Sequence, residues 1–314
     1  MRYLITGAGQ IGRQLALDLS EAGCTVIVLR RDSAPVAGAH VRTGDAGDRD
    51  DLRAAALGAD AIFHCIHAAY SAPVWRRELP HREQAVMDMA AELDIPVIFP
   101  ESVYAYGRGA RSVGEQSPLA PVSPLGEVRA ALLEARAAHP ARTASVIASD
   151  LIGLTAVAQT SVVLGMIFTP VAAGRTAWLL GDPDAPHAVT AIPDLCRAMI
   201  ASVPLAAPND TRLIAPTPPA RSQRKMAGDA AAALGLPPGR VLRIPPALLA
   251  IAGAGSPMMR EMFHQRYLWE SPSELVPGRL TADLGLEATP WEQTLSAWAE
   301  PRASQARRRR TARA

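Results

Sequence analysis

The sequence predicts a doubly wound α/β fold of the Rossmann type, a parallel sheet followed by a small C-terminal lobe, and three observations predict it. A glycine-rich turn near the N-terminus joins a short apolar run to an amphipathic stretch. Through the first half, β-branched runs alternate with helical patterns, as in βαβ units. Beyond Gly153 the pattern changes, with prolines at 204, 208, 216, 218, 219, 237, 238, 245 and 246 interrupting regular structure.

Residues 2–5 form the first expected strand. Residues 11–22 follow as a helix, with Ile11, Leu15, Leu19 and Ala22 at helical spacing and Gly23 where a C-cap belongs. The run 25–29 is the second strand. Further runs at Val41, 61–66, 96–99 and 144–148 supply four more, each with a helix expected before it. The boundaries fall near 155 and 301, giving a Rossmann domain over 1–155 to which a later strand around 187–200 returns. A mainly substrate-binding lobe then covers 156–301, and a disordered basic tail covers 302–314.

Composition narrows the function. The chain has 314 residues, 49% hydrophobic and 20% charged, which is enough apolar material for a filled core. Lys225 is the one lysine, so a phosphate-binding loop ending in Gly-Lys-Ser/Thr is excluded. The net charge of +2 belongs to the tail: without Arg302, Arg307, Arg308, Arg309, Arg310 and Arg313, 26 basic residues face 30 acidic ones. The body is slightly acidic and only 4% aromatic, which argues against a nucleic-acid partner. Cys24, Cys65 and Cys196 are widely spaced and odd in number, as expected of reduced thiols in a cytoplasmic protein. No apolar run approaches the ~18 residues of a membrane span. Residues 64–67 contain His, Cys and His, yet alternation places His64 and Cys65 on opposite faces, so no metal site is expected.

Gly7-Ala8-Gly9-Gln10-Ile11-Gly12 is a GxGxxG that follows a strand and opens a helix, the context in which the motif binds a dinucleotide. Gly7 makes the turn, Gly9 lets backbone approach a pyrophosphate, and Gly12 lets the helix pack closely, with the helix N-terminus facing the anion. The second strand ends in Leu29-Arg30-Arg31, where a carboxylate selects NAD(H) and an arginine accommodates a 2′-phosphate. Arg30 and Arg31 favour NADP(H). Asp32 is the counter-argument for NAD(H).

Several segments resemble the extended and atypical short-chain dehydrogenase/reductases, the superfamily of NAD-dependent epimerases and dehydratases. Gly44-Asp45-Ala46-Gly47-Asp48 is similar to the segment after the third strand in which the Asp approaches the adenine, and residues 60–65 resemble the fourth strand. Pro100 to Gly107 resembles the Ser-rich segment ending in Tyr-Gly, which implies that Ser102 stands at the catalytic serine position. His187 to Asp194 resembles a stretch of the extended members. The resemblance implies cofactor contacts from Gly7, Gly9, Gln10, Ile11, Gly12, Arg30, Arg31, Asp45, Ala46, Cys65, Ile66 and His67.

The departure lies in Ser123-Pro124-Leu125-Gly126-Glu127-Val128-Arg129, which lines up with the family's Ser-Pro-Tyr-Gly-x-x-Lys except at two positions. Leu125 replaces the tyrosine that exchanges a proton with substrate, and leucine has no acid or base chemistry. Arg129 replaces the lysine, yet it keeps a positive charge and donors for the nicotinamide ribose. Tyr104 is the leading alternative donor, because two residues after Ser102 it would point to the same side of an extended segment. Tyr70 and His67 are further candidates, and Tyr106 reads as structural. A substrate able to supply its own proton is the other solution, and in its missing tyrosine the chain resembles the atypical angucyclinone ketoreductase type of the simocyclinone pathway. That resemblance implies reduction of a ketone on a polycyclic aromatic, polyketide-type substrate in antibiotic biosynthesis. Met258, Met259, Met262, Phe263, Tyr267, Leu268 and Trp269 would wall such a substrate, or form an ordinary core helix. A sugar-nucleotide epimerase or dehydratase and a non-catalytic NADP sensor are the alternatives.

Overall fold

The computed structural model describes the backbone of residues 1–311 and side chains as far as Arg302. Seven parallel strands form the central sheet: β1 Arg2–Thr6, β2 Thr25–Arg30, β3 His40–Thr43, β4 Ala61–His64, β5 Val97–Ser102, β6 Thr143–Ala148 and β7 Thr211–Ile214. Their order is β7-β6-β5-β4-β1-β2-β3, so the chain reverses direction across the sheet between β1 and β4. In an open parallel sheet that switch point creates a crevice at the carboxyl ends of the strands.

The first six strands fall where the sequence places them. Two expectations need correction. No helix precedes β3, since residues 31–39 are irregular. The return to the sheet occurs at β7 rather than around 187–200. Val189–Ala191 instead pairs in a small parallel ladder with Asp150–Ile152, and 192–202 is helical. The reason is local: Pro193 at the second position and Asp194 in the first turn start a helix directly after the ladder.

Strand alternation sorts the core into two faces. Tyr3, Ile5, Val26, Val28, Phe63 and Ile98 pack beneath α1 (Gln10–Glu21) and α5 (Ile192–Ser202), which contribute Leu15, Leu19, Leu195 and Met199. Leu4, Leu29, Ile62, Val97 and Phe99 face the other way, against α2 (Arg49–Ala56) and α3 (Ala72–Leu93). Beside α3 runs α4 (Pro124–Ala138), capped by the Ser123 hydroxyl, which accepts from the Gly126 N–H at 3.1 Å. Predicted helix 11–22 is thus α1, and Gly23 does follow it in the left-handed region, φ 76°.

The C-terminal lobe sits over the carboxyl ends of β5, β6 and β7. Its core gathers Phe168, Leu268, Trp269, Trp291 and Trp298, together with Val103, Ile147 and Ile214 from the sheet side. It includes α6 (Gln223–Ala233), α7 (Pro246–Gly255), α8 (Pro257–Gln265) and the terminal α9 (Trp291–Thr311), which runs through most of the segment assigned to the basic tail. Residues 312–314 of that tail lie outside the described residues. No described helix is long and apolar enough to cross a membrane.

Candidate active site

Two backbone bonds build the glycine-turn end of the crevice: the Gly7 N–H donates to the Leu29 carbonyl at 3.0 Å, and the Cys65 N–H to the Thr6 carbonyl at 2.8 Å. Gly7 adopts φ 91°, where a side chain is strained, and a Cβ there would touch Ile66. A Cβ on Gly12 would overlap the Gly7 carbonyl oxygen. Gly9 differs, because an added Cβ meets no protein atom within 4 Å. Gly9 is also the N-cap of α1 and supplies no side-chain cap, so no capping side chain takes the first N–H groups of that helix. Residues of this kind fit the pyrophosphate of a dinucleotide.

Around this turn the predicted contacts divide. The Gln10 amide oxygen accepts from the Val157 N–H and the Thr160 hydroxyl, each at 3.1 Å, and so ties the loop 153–160 over the glycine turn. Ile11 leans into the core beneath α5, and Ala46 is buried against the opposite face of the sheet. Only their main chain is left for a ligand. Asp45 closes its own turn, its carboxylate accepting from the Gly47 N–H at 2.9 Å.

At the end of β2 the Arg30 guanidinium pairs with Asp32 at 2.8 Å and donates to the Ala34 carbonyl at 3.2 Å. The Ala34 N–H and Arg30 hold the Asp32 carboxyl below its usual range. Arg31 is exposed and makes no side-chain hydrogen bond to the described residues.

A second cluster of predicted site residues is organised by Trp75 of α3, a fully buried ring. Tyr104 lies parallel to it, centroids 6.3 Å apart; Tyr70 and His67 meet it edge-on at 5.7 and 4.7 Å. The Tyr70 and Tyr104 hydroxyls are 3.1 Å apart. Arg129 places its guanidinium 4.9 Å from the Trp75 centroid, with Nε 3.6 Å from the Glu101 carboxylate. Glu101 also binds Arg136 at 2.9 Å, and Arg136 takes both oxygens of Glu83 at 2.7 Å. This buried ion network fixes the floor of the site.

Leu125, at the tyrosine position, is completely buried and packs with Trp75, Leu79, Val128 and Leu132. It belongs to the wall and presents nothing to the crevice. Ser102 ends β5 and its hydroxyl accepts from the Tyr104 N–H at 3.5 Å, but the chain turns at Val103 into a short 3-10 segment, the first of two that a kink at Gly107 separates within 103–111. The alternation argument linking Ser102 to Tyr104 therefore fails. The two come together through a helix cap instead. Tyr106 is buried, as a structural role requires.

Burial is the first cause of the shifts at Tyr70, Tyr104, His67 and Asp150. It raises both Tyr70 and Tyr104, while Arg129 and the Tyr70 hydroxyl oppose the rise at Tyr104. His67 borders the open crevice, yet the crowding of protein around it, and then Arg129, lower it to about 4. It is a neutral ring at physiological pH. Asp150, just past β6, is raised to about 6 by desolvation, although it accepts from the Val163 and Leu151 N–H groups at 2.8 and 3.0 Å.

Sequence reasoning missed Trp75, Asp150 and Glu261. Nothing in the local sequence distinguishes Trp75 from a core residue. Glu261 of α8 is buried and accepts from the Ala72 N–H at 2.9 Å, so it caps α3 from a distant segment. In the expected substrate wall, Leu268 and Trp269 are core, Met259, Met262, Phe263 and Tyr267 are half-buried against it, and Met258 is exposed. Asp182 and Asp184 make a turn, the Asp184 N–H donating to the Asp182 carboxylate. Among the described residues, no three His, Cys, Asp or Glu side chains are grouped to hold a metal ion.

Residues 3–211 match the model of the NAD dependent epimerase/dehydratase family. The chain belongs to that family. Solved structures agree on the fold of this family member across nearly its whole length. UDP-glucose 4-epimerase from Thermotoga maritima, solved with UDP-glucose, is 16% identical with a TM-score of 0.73, covering 96% of this chain and 98% of its own. The Bordetella bronchiseptica enzyme WbmH, solved with NAD+, is 17% identical with a TM-score of 0.71, covering 94% and 96%. A monomeric L-threonine 3-dehydrogenase of metagenomic origin is 17% identical with a TM-score of 0.73, covering 98% and 99%. A comparison with curated proteins finds no match.

Proposed function

We propose that this epimerase/dehydratase family member reduces a ketone on a polycyclic aromatic, polyketide-type substrate with NADPH, and that Tyr104 supplies the proton. The observation that carries the reading is the placement of the Tyr104 phenol beside Trp75, within the influence of the Arg129 charge, in a wall that Leu125 seals. A phenol next to a fixed cation is the acid that a carbonyl reduction needs.

When bound, the reduced dinucleotide supplies a hydride to the carbonyl carbon. Tyr104 gives its hydroxyl proton to the carbonyl oxygen, and the electron pair left behind stays on the phenolate. Arg129 offsets that charge and, having no hydrogen bond to the described residues, keeps donors for ribose hydroxyls. Ser102 hydrogen-bonds the carbonyl. Gly7, Gly9 and Gly12 with the first turn of α1 cradle the pyrophosphate, beside Cys65, Ile66 and His67. Arg31 and Arg30 receive the 2′-phosphate, and Asp45 and Ala46 border the adenine. The half-buried Met259, Met262 and Phe263 suit a large flat substrate.

A second reading, a sugar-nucleotide epimerase or dehydratase, is favoured by the likeness to a structure holding UDP-glucose. The leucine at position 125 weighs against it, since oxidising a sugar hydroxyl needs a base there. Mixing the protein with NADPH, or with NADH, and polycyclic ketones from 1-tetralone to hydroxylated anthraquinones tests both. Loss of the reduced-nicotinamide absorbance, faster with NADPH, is the expected result. Turnover of UDP-sugars with no reduction of any ketone would reverse the assignment.

A further inference from the structure

The Tyr70 and Tyr104 hydroxyls come from different loops, after β4 and β5, yet they meet at 3.1 Å because Trp75 orients both rings, one edge-on and one parallel. Two phenols in contact share one hydrogen bond, and their surroundings decide its direction. Arg129 of α4 acts on Tyr104, whereas Glu261 of α8 acts on Tyr70, and Asp150, past β6, acts on both. The neighbouring His67 is neutral and adds no charge. Negative charge is therefore better placed on the Tyr104 oxygen, which makes Tyr70 the donor.

We propose that Tyr70 is a positioning residue that donates its hydroxyl hydrogen to Tyr104 and holds the Tyr104 phenolate formed when the proton passes to substrate. The role rests on Tyr104 being the acid. Tyr70 keeps its own proton throughout, and solvent returns the proton to Tyr104 after product leaves. A family member without the usual tyrosine would thus assemble an acid from two side chains and a cation.

The test uses a polyfluorinated tyrosine placed at position 104, whose ring chemistry brings its ionisation toward neutral pH, read by fluorine NMR in the whole protein. Tyr70→Phe should raise that ionisation by about one pH unit, the loss of one hydrogen bond to a charged oxygen. The reciprocal experiment puts the fluorinated residue at position 70 with Tyr104 intact; there, beside Glu261 rather than Arg129, it should ionise at higher pH than the same residue at position 104. A higher ionisation at position 70 than at position 104 identifies Tyr70 as the donor and Tyr104 as the acceptor. An ionisation at position 70 equal to or below that at position 104, or no shift at position 104 on Tyr70→Phe, would overturn the pairing. In turnover, Tyr70→Phe should lower kcat by about 10- to 100-fold with KM within about twofold, and have no effect when Tyr104→Phe is already present. If the fluorine shifts appear and no ketone is reduced, the ketone reading falls and the paired phenols stand.

Discussion

The Arg129 guanidinium lies 4.9 Å from the centroid of the Trp75 ring. Stacking on an aromatic face is a geometry that a planar guanidinium satisfies and an ammonium satisfies less well. Arg129→Lys should therefore lose about 0.5–2 kcal/mol of stability from the stack, measured as a lower denaturant midpoint. Arg129→Ala should weaken dinucleotide binding by roughly tenfold, about 1.4 kcal/mol, in a fluorescence titration. Unchanged binding by the alanine variant would remove Arg129 from the cofactor site.

Leu125→Tyr is the obvious attempt to restore the family residue, and it should fail. The leucine is fully buried among Trp75, Leu79, Val128 and Leu132, so a phenol there adds volume to a filled wall. Overpacking of this kind costs about 1–3 kcal/mol, and the added hydroxyl has no partner among these apolar side chains. The expected outcome is a lower Tm and no gain in kcat. A variant with faster turnover would show that the tyrosine position still faces the substrate.

The sheet and its glycine turn were legible because they rest on local periodicity: Ile5, Leu15 and Val28 carry the pattern of strand and helix within a few residues. β7 was not, since Thr211–Ile214 is four residues long among prolines and gains its place only by pairing with β6. At the site, Arg129 and Leu125 were visible by position in a motif. Trp75 and Glu261 were not, because their meaning depends on a ring and a carboxylate brought together from α3 and α8; Tyr70 was visible as a candidate donor, but its contact with Tyr104 was not. Tyr104 was singled out by an alternation that the 3-10 helix replaces.

Gly9→Ala and Gly12→Ala separate binding from folding. A Cβ at position 9 meets open space, so the alanine variant should fold with a stability within about 1–2 kcal/mol of the original, the usual range for changing an N-cap. Dinucleotide affinity should still fall, because the added methyl occupies the approach of the pyrophosphate. At position 12 the methyl would overlap the Gly7 carbonyl, and the variant should lose stability by about 1–3 kcal/mol. Thermal unfolding with and without NADPH measures both. A position 9 variant stabilised by NADPH as much as the original would place the phosphates elsewhere.

Two buried histidines give the protein an acid limit. His64, whose Nδ1 lies 2.8 Å from the Thr6 hydroxyl, is lowered to about 3 by burial and then by Arg136, Arg82 and Arg129; His187, stacked on Trp269, is lowered to about 3 by burial. Both must stay neutral to remain folded, while in the unfolded chain they take up protons below the ordinary histidine value of 6.5. Their contribution is complete above that value and is lost as pH falls toward about 3. Asp150 runs the other way. Raised to about 6, it favours the folded state below the ordinary carboxyl range and loses that contribution as pH rises. Two histidines outweigh one aspartate, so stability should fall on acidification. With the folded histidine value that low, a drop from pH 6.5 to about 4.5 removes roughly 2–3 kcal/mol per histidine. His64→Leu should be somewhat less stable at neutral pH, where Thr6 loses its partner, but its urea midpoint should decline less between about pH 7 and 4.5. An acid decline as steep as that of the unmodified protein would show that His64 is not the group being protonated.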